Sequence, residues 1–398
     1  MTPAPARTPT RFAPDRQWAE RASAPLRLLS GPRARPTPAE VAALAAGLLR
    51  RDEPAAALAR AVREDRTVSM RQVHDALAHG VPDGADVPAP LRAFLDAVRV
   101  RPAWVDDALL ARGARACRAF GADAGVVLAY GSLLGGYRTA AALEPLARTG
   151  RLTGAEALRR IAETTTWWRA VTAPGGLAEG AEGHRLALHV RVMHGFVNHQ
   201  LEQDPTWDWA ERGVPINQYD QASTLGVFST SFLLHLRLLG VRVSRADARA
   251  VMHLWSYVGW LMGVDEDWLP HTERRGRRLL YHFLSHDPPP DQNSRTLARA
   301  LVHMTDGIGL PAWRARYERE RALSAGTWLL GPAAMRDLGL PLRVPWYGVA
   351  RVASNLWWSH LVGRLPGGRE RLAAHGERVF ERQVARWGTD GAVPGPAA

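Results

Sequence analysis

The segment GHRLALHVRVMHGFVNHQLEQD, Gly183 to Asp204, holds four of the chain's fourteen histidines. It reads as one amphipathic helix, opened by the break at Pro174, Gly175 and Gly176. Side chains three, four and seven positions apart share a helical face. His194 therefore lines up with Ala187, Val190, Val197 and Leu201, and Arg191 stands one turn earlier beside the same stripe. An imidazole in an apolar stripe costs free energy unless a partner accepts from it or donates to it. Two readings meet that need. One is a core histidine bonded to a backbone carbonyl, which spacing alone favours. The other is an axial ligand to a haem iron, for which neutral imidazole is the usual proximal donor.

The four histidines recur every five residues, a turn of about 140° per step, so they cannot converge on one metal from this helix. His199 has Gly195, Glu202 and Gln203 around it and reads as solvated, and His184 sits at the helix start. His189, beside Val192, Met193 and Phe196, is the rival to His194. No HExxH and no Cys/His pairing occurs, which argues against a zinc site.

Outward from this helix, composition bounds the rest. The chain has 398 residues, 46% of them hydrophobic. Alternating Val/Ile/Thr runs are short, while Ala, Leu and Arg dominate long windows, so the expected fold is all-α. The formal charge is +12 and all 51 basic residues are arginine. Without lysine there is no Schiff-base chemistry and no Walker-type phosphate lysine. The arginines are scattered, with no basic run interleaved with aromatics, so no nucleic-acid partner is expected. Cys117 is the only cysteine, which excludes an intramolecular disulfide and a cysteine-ligated cluster. Flanked by Arg115 and Arg118, it reads as a thiolate or as a half-buried structural thiol. The N-terminal stretch MTPAPARTPTRFAPDRQW lacks the apolar core of a signal peptide. The longest apolar region, Leu225 to Val241, is broken by Ser229, Thr230, Ser231, His235 and Arg237 and is too polar for a transmembrane span. The expectation is a cytoplasmic monomer.

In chain order, residues 1–37 read as a poorly ordered leader with one short helix from Trp18 to Leu29, and residues 38–90 as a helical extension. Residues 91–387 form the functional domain and 388–398 a tail. Thr37-Pro38-Ala39-Glu40 is a helix start, with further helices at 53–64 and 69–78 and a linker from Val81 to Pro90. In the domain, Pro90–Val98 and Asp106–Gly121 read as helices. Ala122 to Ala142 is apolar and contains YGSLLGGY, residues 130–137, whose glycines admit either a close helix crossing or a flat ligand. Glu144, next to Pro145, reads as a cap or a functional acid. Thr153 to Glu156 is a capping box for a helix running to Val171, with Arg160, Glu163, Thr164, Trp167 and Trp168 on or near one side. The β-branched run Thr164-Thr165-Thr166 weakens a helix and implies selection for what it touches. Further helices are expected at Thr224–Leu239, Ser244–Met262, Arg274–Ser285, Ser294–Asp306, Pro311–Leu323 and Glu370–Trp387. Residues 265–268, DEDW, read as an acidic loop and not as a metal site.

Three stretches together resemble the latex clearing protein (rubber oxygenase) family: Arg191-Val192-Met193-His194, VPINQYDQAST (214–224) and WSYVGWLMGVDEDWLP (255–270). The likeness runs from residue 100 to residue 330. It implies a globin-like helical core with additional N- and C-terminal helices, and haem b held through its iron by the histidine of the Arg-x-x-His motif, here His194. It also implies an active-site glutamate at Glu144 and a distal arginine and threonine at Arg160 and Thr164. Arg191 is then placed to pair with a haem propionate. One position departs: Glu163 stands where the rubber enzymes can carry a lysine. The implied function is a haem b oxygenase that adds O2 to an apolar, unsaturated, terpenoid- or polyketide-like substrate and cleaves its double bond. A peroxygenase or peroxidase in which Glu163 works on H2O2 is the first alternative. A non-catalytic haem carrier or helical interaction protein is the second.

Overall fold

Caps fix where the chain turns helical, and several of those read from the sequence form as expected. The computed structural model describes residues 7–13, 15–81, 86–139, 143–148, 154–306 and 309–389. Asp15 accepts from the Trp18 N–H and opens α1 (Arg16–Ser30). Thr37 and Glu40 form a reciprocal capping box on α2 (Pro38–Gly47), and Ser69 with Gln72 does the same for α4 (Met70–His79), after α3 (Glu53–Arg63). Then come α5 (Ala89–Arg99), α6 (Asp107–Ala119) and α7 (Gly121–Val126), which passes through a π-helical turn at Val127–Leu133 into α8 (Leu134–Gly136). α9 (Glu144–Arg148), α10 (Gly154–Val171), α11 (Glu182–Glu202) and α12 (Trp209–Arg212) follow. A second π turn, Val227–Ser231, joins α13 (Gln218–Gly226) to α14 (Phe232–Leu238). The remainder is α15 (Arg245–Leu261), α16 (Glu273–Leu284), α17 (Gln292–Val302), α18 (Ala312–Asp337), α19 (Trp346–His360) and α20 (Gly368–Thr389). No strand occurs among the described residues, so the all-α expectation holds.

α15 is the axle. Leu254, Trp255, Val258 and Leu261 are all fully buried, as a helix surrounded on every side must be. It packs along α6, where Gly113 leaves room for the Ala250 carbonyl. The main core gathers Trp168, Trp255, Phe232 and Phe283. A smaller core forms between α3, α4 and α5 and takes Val192 and Phe196 from α11. α11 thus lies between two cores, and a Cβ on Gly195 would sit 2.5 Å from the Ala55 carbonyl of α3. The 38–90 extension is therefore continuous with the rest of the molecule.

The structure differs from the sequence reading in four places. The leader packs from Pro9 onward: Thr10 and Arg11 donate their backbone N–H to Ala210 and Glu211, and the buried Arg11 guanidinium grips Asp220 at 2.6 and 3.2 Å. α13 starts at Gln218 instead of Thr224, because its buried polar residues have partners and interrupt the apolar period. α18 continues to Asp337 through a kink where Gly331 takes φ 81° before Pro332. α19 was not expected at all. The capping residue Thr153 lies outside the described residues.

Candidate functional site

α10 and α11 pack side by side, drawn close at one end because Gly183 puts no Cβ against the Ala170 carbonyl, where one would lie at 2.5 Å. On α11, Leu186, Val190, His194 and Val197 form one strip that is only half-buried, while Met193 packs on the smaller core and Ala187, Leu188, Val192 and Leu201 are buried. On α10, Ile161 through Thr165 are likewise half-buried, above the buried Trp167 and Trp168. Trp167 packs edge-on against Phe228 with ring centroids 5.3 Å apart, which brings in the second π turn. There Val227 and Phe228 are half-buried and Thr224 is exposed, within a run whose other residues are buried. Three packed segments therefore leave apolar side chains half-covered in what is otherwise core, with His194 on one of them and the Thr164 turn on another.

The four histidines of α11 separate by face. His189 stacks toward His74 of α4, ring centroids 5.7 Å apart, and burial, assisted by that neighbour, lowers its pKa. His199 approaches Glu64 at 3.8 Å. Both face the N-terminal helices; His194 alone belongs to the half-buried strip beside α10.

Arg191 is a correction. It is buried, and its Nε and Nη2 donate to the two oxygens of Asp52 at 2.6 and 2.8 Å. Its guanidinium also lies 5.3 Å from the Phe94 ring. Gly263, at φ 83°, passes directly over the pair, where a Cβ would strike both side chains. A fork engaged in this way fastens α11 to α3 and is not directed at a cofactor. Glu163 pairs with Arg159 one turn back at 3.0 Å, both side chains near half-exposed, the geometry of a weak surface ion pair. The side chain of Arg160 lies outside the described residues.

Glu144 is buried among partners. Oε1 accepts from Arg148 Nε at 2.9 Å, and Oε2 accepts from Asn293 at 3.2 Å and faces Arg212 at 3.4 Å. Arg148 continues to Asp204 and Thr206 beyond the end of α11. The described partners of Glu144 thus come from α9, α12 and α17. Both oxygens are engaged, and among the described residues the second lone pair of Oε1 remains to accept a proton.

The acidic segment read as a loop forms a short 3-10 helix, Glu266–Trp268, with Asp265 paired to Arg50 at 3.0 Å. Cys117 is fully buried, and burial pushes its thiol up to about 12, so it is not a thiolate. The glycines of YGSLLGGY serve close helix crossings: a Cβ on Gly131 would lie 2.7 Å from the His235 ring, and one on Gly136 3.2 Å from Val227. His235 itself was not singled out from sequence. It exchanges a hydrogen bond with the Ser231 hydroxyl at 3.1 Å, and burial lowers its pKa to about 4.

A family model described as "ER-bound oxygenase mpaB/B'/Rubber oxygenase, catalytic domain" matches residues 118–362. A rubber oxygenase from Streptomyces sp. (strain K30) is 28% identical over 231 residues, which is 56% of this chain and 56% of that protein. The match therefore spans little more than half the length of that relative. Among solved structures, latex clearing protein LCP in the closed state superposes with a TM-score of 0.63 at 22% identity, covering 85% of this chain and 91% of the other. At that identity the likeness speaks for the helical architecture. Its coverage of 85% of the chain is wider than the matched domain, residues 118–362.

Proposed function

Given that the chain belongs to the family of ER-bound oxygenase mpaB/B′ and rubber oxygenase catalytic domains, we propose that it is a haem b-dependent oxygenase acting on the double bond of an apolar substrate. The observation that supports the reading is His194: a half-buried imidazole in an apolar strip of α11, inside the matched region. An apolar setting suits a flat macrocycle, and an imidazole is the donor haem iron takes. Bound there, haem would supply the activation of O2. His194 would hold the iron. Leu186, Val190, Val197 and Phe228 would keep water away from it and favour a hydrocarbon over a polar substrate. Thr164, half-buried on the neighbouring helix, would add a hydroxyl. Glu144 would take a proton from the carbon next to the double bond through the free lone pair of Oε1 and return it to the same carbon as the carbonyl products form. The two oxygen atoms of O2 would end in two carbonyl products. The relative's name, rubber oxygenase, supports a polyisoprenoid type of substrate.

The test is turnover of a polyisoprenoid alkene by the haem-loaded protein under 18O2. The account expects aldehyde or ketone fragments carrying the label, and a rate cut at least tenfold in Glu144→Gln. Product formed only when H2O2 is supplied, with no consumption of O2, would replace this reading with the peroxygenase one.

A further inference from the structure

α19 is built inside out. Its inward face carries the polar groups: Arg351 donates to both oxygens of the buried Asp123 at 2.7 and 2.9 Å, and Asn355 donates to the same carboxylate and to the Leu239 carbonyl at 2.9 Å each. Its outward face carries Trp346, Val349, Ala353, Leu356 and Trp357, spaced three, four, three and one apart, which is one side of a helix. All five are exposed, Trp357 to 64%. The apolar surface continues onto α18, where Trp313 is 71% exposed and the Tyr317 ring lies 5.9 Å from that of Trp346. Val344, between the two helices, is 76% exposed. A single exposed tryptophan is ordinary, but a continuous aromatic and aliphatic stripe over two helices marks an interaction surface.

Charge indicates what covers it. From Pro311 to Leu365 the chain has eight arginines and three carboxylates, a net of five positive charges. Each carboxylate is already engaged: Glu318 by Arg321, Glu320 by Arg343 and Asp337 by Arg138. Arg314, Arg316 and Arg364 are exposed on the segments that carry the apolar stripe. Tryptophan and arginine together are the side chains suited to the boundary between lipid headgroups and acyl chains. A second copy of this chain would bring the same positive surface against itself, which like charges oppose. Among the described residues no single helix is long and apolar enough to cross a membrane, so contact through this face is peripheral.

We infer that the α18–α19 face docks on the surface of an anionic lipid bilayer, with Trp313, Trp346 and Trp357 in the headgroup layer and the exposed arginines against lipid phosphates. The test is co-sedimentation of the full chain with phosphatidylcholine vesicles, with and without phosphatidylglycerol, read together with tryptophan emission. The protein should pellet with the phosphatidylglycerol vesicles and its emission should shift to the blue. Trp313→Ala/Trp357→Ala should weaken binding at least tenfold without changing the melting temperature, since these side chains are 71% and 64% exposed. Arg314→Gln/Arg316→Gln/Arg364→Gln should lose about fivefold per arginine on anionic vesicles only. The inference is overturned if no vesicle binds the protein, or if the tryptophan variant binds as the parent does, because the attraction is then scattered charge. It is equally overturned if light scattering shows a dimer that the tryptophan variant dissociates, because the face is then a contact between copies.

Discussion

The Asp52–Arg191 pair offers the sharpest energetic prediction, because it decides between two assignments for one arginine. Both side chains are more than nine-tenths buried and joined by two hydrogen bonds of 2.6 and 2.8 Å. Changing Asp52 to Ala strands a guanidinium under Gly263 and against Phe94. Breaking a buried pair from one side costs about 3–5 kcal/mol. With an unfolding entropy of about 2.1 cal/mol/K per residue, a chain of this length has about 0.8 kcal/mol/K in total, so the melting temperature should fall by about 4–6 °C. Arg191→Met should cost a similar amount by stranding the carboxylate. Asp52→Leu/Arg191→Met removes both charges and should recover most of the loss, with a coupling of about 2 kcal/mol or more. Differential scanning calorimetry on the four proteins measures the cycle. Additive losses, with no coupling between the two changes, would refute the clamp. If Arg191 instead served a cofactor, the stable double variant would lose haem; the clamp predicts that it keeps it.

Three further outcomes follow from buried titratable groups. Asp287, buried beside Asp220 and Tyr219, has its pKa raised by burial and by Asp220 from 3.8 to about 7. Its contribution to stability is full below pH 3.8 and is lost as pH rises through 7, so Asp287→Asn should flatten the fall in melting temperature over that window. His235, lowered by burial from 6.5 to about 4, works in the other direction. Its contribution is full above pH 6.5 and lost as pH falls toward 4, and His235→Gln should reduce that acid sensitivity, which equilibrium denaturation at stepped pH would reveal. Cys117 should not react with a thiol reagent at pH 8 until the chain is unfolded; rapid labelling of the native protein would contradict its burial.

The parts of this fold that were legible in the sequence are those in which local chemistry and burial agree. α2 announces its start through Thr37 and Glu40, though it ends at Gly47, short of the expected Arg51, and α11 announces itself through its apolar spacing, within a residue or two of the observed bounds. Where polar groups are buried with partners, the pattern misleads. α13 buries Gln218, Asp220 and Gln221, and their partners include Arg11, more than two hundred residues away, and the Gly263 carbonyl. α19 reverses the usual rule, apolar outside and Arg351 inside, so its stripe does not point to the core. The site shows the same division. Spacing put His189 and His194 on one amphipathic helix with apolar neighbours for both, and only packing separates them, turning His189 toward His74. Arg191 is within one turn of His194, and no local signal shows that its partner is Asp52 in the extension. The π turns at Val127–Leu133 and Val227–Ser231 carry no distinct sequence signature.

The central claim concerns one imidazole, and one spectrum tests it. The chain expressed with ample haem, and its His194→Ala and His189→Ala variants, would be compared by visible absorption and by pyridine haemochrome. The account predicts a Soret band and one haem b per chain in the parent and in His189→Ala, and a lost or displaced band with little bound haem in His194→Ala. A His194→Ala protein with the parent's haem content and spectrum would contradict it.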